Sequence, residues 1–257
     1  MVPFQAVPHI TGSDMTQENR KDSAVSETVG YILMFSIVIL SMSFIYTMGY
    51  PVLQKNIEAS VFENAEQSFI VLQSHMKRVA FDQAPVKVMK IKLHSSTISI
   101  DNDSSILISY DNNSFSYDTD KIEFSKDEKL LAYENGGVWK QNSPSEVLMV
   151  SQPPVYTGRV NNINTTTIGV VSINGHYSTA GSGIASITMK HNNSSLITPD
   201  DPVNVIVQIN SIYAKQWAKY LEENGFHIIS SNSSTVFASR DNTMLFIGNH
   251  VVDVSIT

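Results

Sequence analysis

Apolar and polar positions divide the chain into three successive regimes. Met1 to Ala24 is polar, punctuated by Pro3, Pro8 and Gly12 and without a helical period, so it cannot bury a core and reads as a leader. From Thr28 to Gln54 there is no charged side chain over about 27 residues, and Val29 to Tyr46 is apolar around the whole circumference of a helix. At about 1.5 Å per residue, roughly 20 such residues cross a hydrocarbon core of roughly 30 Å. A transmembrane segment at about residues 29–50 is therefore predicted. Ser36, Ser41, Ser43 and Thr47 within it are short hydroxyls able to bond back to their own helix carbonyls. Tyr31, Tyr46 and Tyr50 lie near its ends, where amphipathic rings prefer the interface. Pro51 removes a helix hydrogen bond and predicts a kink near Gly49 to Pro51.

Beyond Pro51 the period becomes amphipathic. Ile57, Val61, Phe62, Ala65, Phe69, Leu72, Met76, Val79 and Ala80 recur at three- and four-residue steps, with Glu58, Glu63, Glu66, Gln73, Lys77 and Arg78 between them. This is one helical stripe, ending near Asp82 because Pro85 disfavours helix in the residue before it. Span and stripe together predict about 55 residues of nearly continuous helix, whose outer half needs a sheet or a neighbour to cover it.

After Pro85 the period falls to two. Met89 to Leu93, then Ile98 and Ile100, the turn Asp101-Asn102-Asp103, and Ile106 to Tyr110 predict strands and hairpins. Phe115 to Tyr117, Lys121 to Phe124, Leu130 to Tyr133 and, past Asn135-Gly136-Gly137, Val138-Trp139 extend the series in the manner of a β-meander. Further strands are expected at Thr166 to Ile173, Ile184 to Lys190 and Val203 to Ile209, and at Phe226 to Ile229, Thr235 to Ala238, Met244 to Ile247 and Val251 to Ile256. One helix interrupts them. Ser211 caps Ile212 to Glu223, Asn224-Gly225 stops it, and Tyr213, Trp217, Tyr220 and Leu221 have the spacing of a face packed on a sheet. The expected fold class is α+β and membrane-anchored: a polar leader over 1–24, a long helix over 25–84, and a β-rich extracellular head over 85–257.

Charge and composition narrow the chemistry. A net charge of −7 argues against nucleic acid as a partner, since phosphate-backbone binders present an excess of Lys and Arg. Without cysteine there is no disulfide framework, thiol nucleophile or thiolate metal site. The seven histidines have no metal-ligand spacing. Asp101-x-Asp103-x-Ser105 begins like a calcium loop, but Ile106 stands where that loop needs glycine and Asn112 where it needs a bidentate Glu. Gly181-Ser182-Gly183 lacks the spacing of a nucleophile elbow. No catalytic residues, metal or cofactor are assigned, and an enzyme is not expected. Arg20-Lys21 before the span slightly favours an internal N-terminus. All six Asn-x-Ser/Thr acceptors, Asn102, Asn112, Asn164, Asn192, Asn193 and Asn232, follow the span. Both hints place the C-terminal domain outside a cell membrane crossed once.

The segment Ser26-Glu27-Thr28-Val29-Gly30-Tyr31-Ile32-Leu33-Met34-Phe35, preceded by Ala24-Val25 and a short polar leader, resembles the N-terminus of archaeal type IV pilin-like proteins. The resemblance covers roughly residues 20–55. It implies a class III signal peptide, cut on the cytoplasmic side by a prepilin peptidase while the hydrophobic helix is retained. Ala24 would precede the cut and Val25 become the new N-terminus. The family usually has a basic residue immediately before the small one; here Ser23 stands there, with Arg20-Lys21 further back, so a cut after Ser23 is the alternative. The resemblance also implies that Glu27 faces the free amine of a neighbouring subunit, offsetting the cost of a carboxylate near lipid. Its simpler role is an acid favoured by the helix dipole. The leading expectation is a pilin-like subunit of an archaeal cell-surface filament or pseudopilus, with the lipid bilayer, the peptidase and other pilin-like subunits, copies of itself included, as partners. The second is a bitopic receptor, adhesin or envelope-binding ectodomain.

Overall fold

The computed structural model describes residues 15–143 and 146–257, with side chains from Glu27 onward. The first part of the expected leader, and the side chains of Ala24 and Val25, lie outside the described residues. The chain divides into two compact units, Met1–Ala59 and Ser60–Thr257.

In the first unit, α1 (Met15–Phe44) and a five-residue π-helix (Ile45–Gly49) lead into α2 (Tyr50–Ala80). Helix already begins at Met15, where no period was expected. Gln17, Glu18, Lys21 and Ala24 are good helix formers, and adding turns to a formed helix needs no new nucleus. The Ser36 and Ser41 hydroxyls donate to the Ile32 and Ile37 carbonyls at 2.7 Å, and Thr47 Oγ1 donates to Ser43 O at 2.8 Å, so these three hydroxyls are satisfied within the helix. Ahead of Pro51, near which a kink was expected, the helix makes a π-turn over Ile45–Gly49. A wider turn is one way a helix accommodates a proline ring and its missing N–H.

In the second unit, the Ser60–Ala80 part of α2 lies against β-structure. The strands are β1 (Val86–Lys92), β2 (Ser96–Asp101), β3 (Ser105–Tyr110), β4 (Asn113–Asp118), β5 (Lys121–Lys126), β6 (Lys129–Glu134), β7 (Gly137–Ser143) and β8 (Glu146–Ser151). They continue with β9 (Val155–Val160), β10 (Ile163–Asn174), β11 (Ser178–Gly181), β12 (Ile184–Ile197) and β13 (Val203–Asn210). After α3 (Ala214–Glu223) come β14 (His227–Ser231) and β15 (Thr235–Ile256). One sheet runs β11-β2-β5-β6-β7-β8. The other runs β1-β12-β15-β13-β3-β4, with β10 and β14 also paired to β15 and β9 to β10.

Four expectations change. Asp101-Asn102-Asp103 does not close a hairpin: β2 pairs with β5 and β11, and β3 with β13 and β4, so the chain crosses there from one sheet to the other. Only β5 to β8 form the meander. The three strands expected after Thr235 are one strand of 22 residues. Arg240-Asp241-Asn242 is a bulge inside it, where the β13 register jumps from Val203↔Thr243 to Val205↔Arg240 and the Asn242 N–H donates to Asn204 Oδ1 at 2.8 Å. α3 starts at Ala214, because the Ser211 hydroxyl accepts the Tyr213 N–H at 2.9 Å and is itself held by Glu134. Its end is as expected: Gly225 at φ +76° lets the Phe226 N–H reach Leu221 O and the Gly225 N–H reach Glu222 O, a Schellman stop.

Two apolar cores result. The first gathers Phe62, Phe69, Leu72, Met76 and Val79 of α2 with residues of both sheets, among them Ile98, Phe124, Ile187 and Val254; the Phe69 and Phe124 rings meet edge-on at 6.4 Å. The second joins α3, through Trp217, Tyr220 and Leu221, to β3, β13 and the first half of β15, so the aromatic face of α3 is core. The parallel pair β10–β15 separates them: Ile168 and Val170 serve the second core, Val171 and Ile173 the first.

Polar hooks fix α2 on this core. Lys140 Nζ meets Glu66 at 2.7 Å, and Gln73 Nε2 donates to Gly136 O at 2.6 Å while its Oε1 accepts the Ser151 hydroxyl at 2.6 Å. Gly136, at φ +78°, has no room for a Cβ, which would lie 2.6 Å from Pro154 Cδ. His191 Nδ1 lies 3.1 Å from Val79 O, and His250 bonds to the Ala80 carbonyl, so two imidazoles from the sheet cap the last turn of α2. We expect Phe69→Ala to destabilise the second unit by about 3–5 kcal/mol through lost burial and the cavity left behind. Ile57→Ala, at an exposed position, should cost about 0.5 kcal/mol or less. Urea denaturation of the full chain in detergent, followed by tryptophan fluorescence, measures both.

Candidate functional site

The first candidate is the surface of the apolar helix. From Thr28 through Ile57 every side chain is exposed, with Tyr31 at 70%, Phe35 at 67% and Leu40 at 68%. Glu27–Ala80 contains a window long and apolar enough to cross a membrane, and none of that window is buried within the protein. An uncharged helix exposing rings and branched chains all round has no solvent-facing side, so lipid or other apolar surface is what it can bury. Glu27 is exposed at the edge of this run. The backbone at Ala24 and Val25 is helical within α1.

The acceptor asparagines are not equivalent. Asn112, in the β3–β4 turn, and Asn232 are exposed, as are Asn192 and Asn193 at the β12 bulge. Asn232 Oδ1 accepts the Ser234 and Thr235 N–H groups at 2.8 Å, and Asn192 Nδ2 donates to Asp253 at 2.8 Å. Asn102 is exposed, but its partner hydroxyl, Ser104, is buried against Thr119 Oγ1 at 3.0 Å. Asn164 is half-buried, and its Thr166 hydroxyl is buried 2.8 Å from Thr243 Oγ1.

The perturbed ionisable groups lie inside the second unit and hold it together. The Lys121 ammonium contacts Asp103 at 2.9 Å and Glu123 at 3.2 Å. Burial lowers the lysine pKa, but the Asp103 hydrogen bond and both carboxylates outweigh burial and raise it overall. The Asp103 side of the calcium-like loop therefore faces a fixed cation. Asp120, buried nearby, is pushed up to about 6 by burial and by Asp118 and Asp103. Glu134, at the end of β6, accepts the Ser211 hydroxyl at 2.9 Å and the Trp217 indole N–H at 2.8 Å. Burial pushes its carboxyl up to about 7 against those two hydrogen bonds and the charge of Lys121. This tie between β6 and α3 gave no sequence signal, because a single acid ending an apolar run looks like a turn residue. At the end of α2, burial and the neighbouring His191 lower the His250 pKa, and Ser194 Oγ lies 2.8 Å from its Nδ1. Among the described residues, no three His, Cys, Asp or Glu side chains are grouped to hold a metal ion.

Two open surfaces complete the second unit. Past the end of α2, the sheet face that carries Val252 and Val254 continues uncovered. Pairing registers put Leu196, Phe246, Tyr156, Val160 and Ile163 on that continuation, with Gly158, Thr165, Thr167, Met244 and Gly248 between them and no charge. Leu196 is 70% exposed. A groove of 1110 Å³, which Tyr156 also lines, runs along β8 between α2 and α3.

Sequence comparison matches residues 23–255 to a family of unknown function, DUF7289. The chain belongs to that family. The match takes in the apolar helix and the β-rich unit together. Comparison with curated proteins and with solved structures found no match.

The Glu134 tie has a pH signature. Its carboxyl is easier to protonate folded than unfolded, so its contribution to stability is complete below about pH 4.5 and is lost as the pH rises through about 7. Glu134→Gln should remove that dependence. Between pH 5 and pH 8 the wild type should lose stability relative to the variant by on the order of 3 kcal/mol, read as the difference between their urea-unfolding free energies.

Proposed function

We propose that this DUF7289 chain is a pilin-like structural subunit of an archaeal cell-surface filament or pseudopilus. Its apolar helix anchors it in the membrane before assembly and packs against other subunits, copies of itself included, afterwards. The observation that carries this reading is the continuity of one helix with two kinds of surface. Uncharged and exposed up to Gln54, it becomes, from Val61 on, a stripe buried in the β-rich unit's core. A detachable signal sequence has no need of a continuation built into the core of the domain it delivers. A prepilin peptidase removes the polar leader before Val25. The β-rich unit then faces outside, where the uncharged sheet face around Leu196 and Tyr156 provides contact area between copies. At the new N-terminus, Glu27 answers the free amine of a neighbouring subunit. The exposed acceptors Asn112, Asn192, Asn193 and Asn232 are the ones a glycosylating enzyme reaches on the folded domain.

The groove beside β8 favours a second reading, a bitopic receptor or adhesin whose exterior domain binds a partner. That reading predicts an uncut leader and no filament.

Mass spectrometry of the N-terminus from native membranes, with analysis of material sheared from cells, separates them. A chain beginning at Val25 or Ala24 and present in sheared filaments is expected. An intact Met1, or a cut beyond Gly49, refutes the proposal. Glu27→Gln should leave membrane insertion unchanged and reduce the filament fraction at least tenfold.

A further inference from the structure

The groove beside β8 has a chemistry of its own, independent of how the apolar helix is used. β8 is the last strand of its sheet, and among the described residues it pairs only with β7. Its side chains are partly packed, Val150 on the first core and Val147 and Met149 on the second, while Leu148 is exposed. What it turns to the groove is its free edge: Val147 through Gln152 line the cavity without a break, between Gln73 and Lys77 of α2 and Gln216 and Lys219 of α3. The Val147 carbonyl on this edge has Gln216 Nε2 at 3.5 Å, the outer limit of a hydrogen bond. Strand alternation turns the peptide groups of Met149 to the same side.

An exposed edge strand is a template for another backbone, and proteins guard against that with charge, proline or bulges. The two sheets differ in this respect. Edge strand β1 carries Lys87, Lys90 and Lys92, whereas β8 has a single acid, Glu146 at its start, and a register shift at Val150, and its run Val147-Leu148-Met149-Val150-Ser151-Gln152 has neither charge nor proline. Leu148 is 49% exposed. The groove also selects charge. Lys219 has Glu223 at 3.8 Å, while among the described residues no ion pair involves Lys77, which leaves an ammonium on the wall. Alternating peptide donors and acceptors at strand spacing are matched by another extended polypeptide.

We propose that the groove binds an extended segment of another polypeptide, about six residues long, which adds to the sheet as a strand beside β8 and sets an acidic side chain against Lys77. Main-chain hydrogen bonds to the free edge supply affinity. Leu148 and the walls from α2 and α3 read alternate side chains.

The full chain in lipid nanodiscs, panned with a random 12-residue peptide display library, tests this. Enriched peptides should alternate apolar residues and carry Asp or Glu. Their fluorescein-labelled synthetic forms should bind with anisotropy midpoints raised at least tenfold by Leu148→Lys, a surface change whose folding is checked by thermal melting. N-methylation of every second peptide amide should weaken binding tenfold in one phase and leave it unchanged in the other, and Lys77→Glu should abolish the acidic preference. Binding should also slow amide hydrogen exchange across Glu146–Gln152. Failure to enrich any peptide overturns the proposal, as does binding insensitive to both N-methylation phases and to Leu148→Lys.

Discussion

The structure depends on burying the α2 stripe from Val61 to Ala80. Five of its large side chains, Phe62, Phe69, Leu72, Met76 and Val79, share one core with both sheets, so the helix is part of the domain's interior. Without it the face formed by Ile187, Met189, Val252 and Val254 would be open to water. The polar contacts are arranged around that burial. Glu66 and Gln73 tether the flank, and His191 and His250 satisfy carbonyls of the last turn that no further residue of the helix can reach. None of these contacts needs to be strong, because each only fixes the register of a stripe whose apolar area already favours docking. The same stripe explains where docking stops. From Glu27 to Ser60 every side chain is exposed, so the helix changes from a core element to an exposed one within a turn or two.

Much of this was legible in the chain. The change of period at Pro51 and again at Pro85 marks the apolar run, the stripe and the β-rich unit, because each surface imposes its own repeat on side-chain polarity. The aromatic face of α3 was legible for the same reason. What failed was non-local. Nothing between Asp101 and Ser105 says that the chain leaves one sheet for another, since a crossing and a hairpin both need a short polar segment. The pattern of β15 breaks at Arg240-Asp241-Asn242, and a break in alternation looks the same whether it is a turn or a bulge. Strands β8, β9 and β11 were missed outright. Ser178–Gly181 has no large apolar residue, and Val147 to Val150 is apolar at every position although Leu148 is exposed, so there is no alternation to read.

The candidate sites divide along the same line. The helix surface from Thr28 to Gln54 follows from composition alone, and so does the position of Glu27 at its edge. The distinction among the acceptor asparagines does not. Asn102 and Asn112 look alike in sequence, yet Ser104 is buried against Thr119 while Ser114 stays exposed near Ser109. Glu134 was invisible because its partners, Ser211 and Trp217, are roughly eighty residues away and meet it only once α3 crosses the end of β6. The groove is still less legible, being walled by segments from α2, β8 and α3 that have no sequence relation.

The unguarded edge of β8 also bears on how the domain avoids self-association. A run of uncharged apolar residues on a sheet edge is an aggregation hazard in proportion to its access. Here access is limited by α2, with Gln73 and Lys77 on one wall, and by α3, with Gln216 and Lys219 on the other. Under the proposed strand addition a single extended chain enters between the helices, whereas the edge of a second intact sheet brings its own covering layers. β1 has no such walls, and Val86 and Val88 on it are half exposed, so there lysines do the excluding instead. Two edges of one domain are thus protected by different means, and only one of those means still admits a strand.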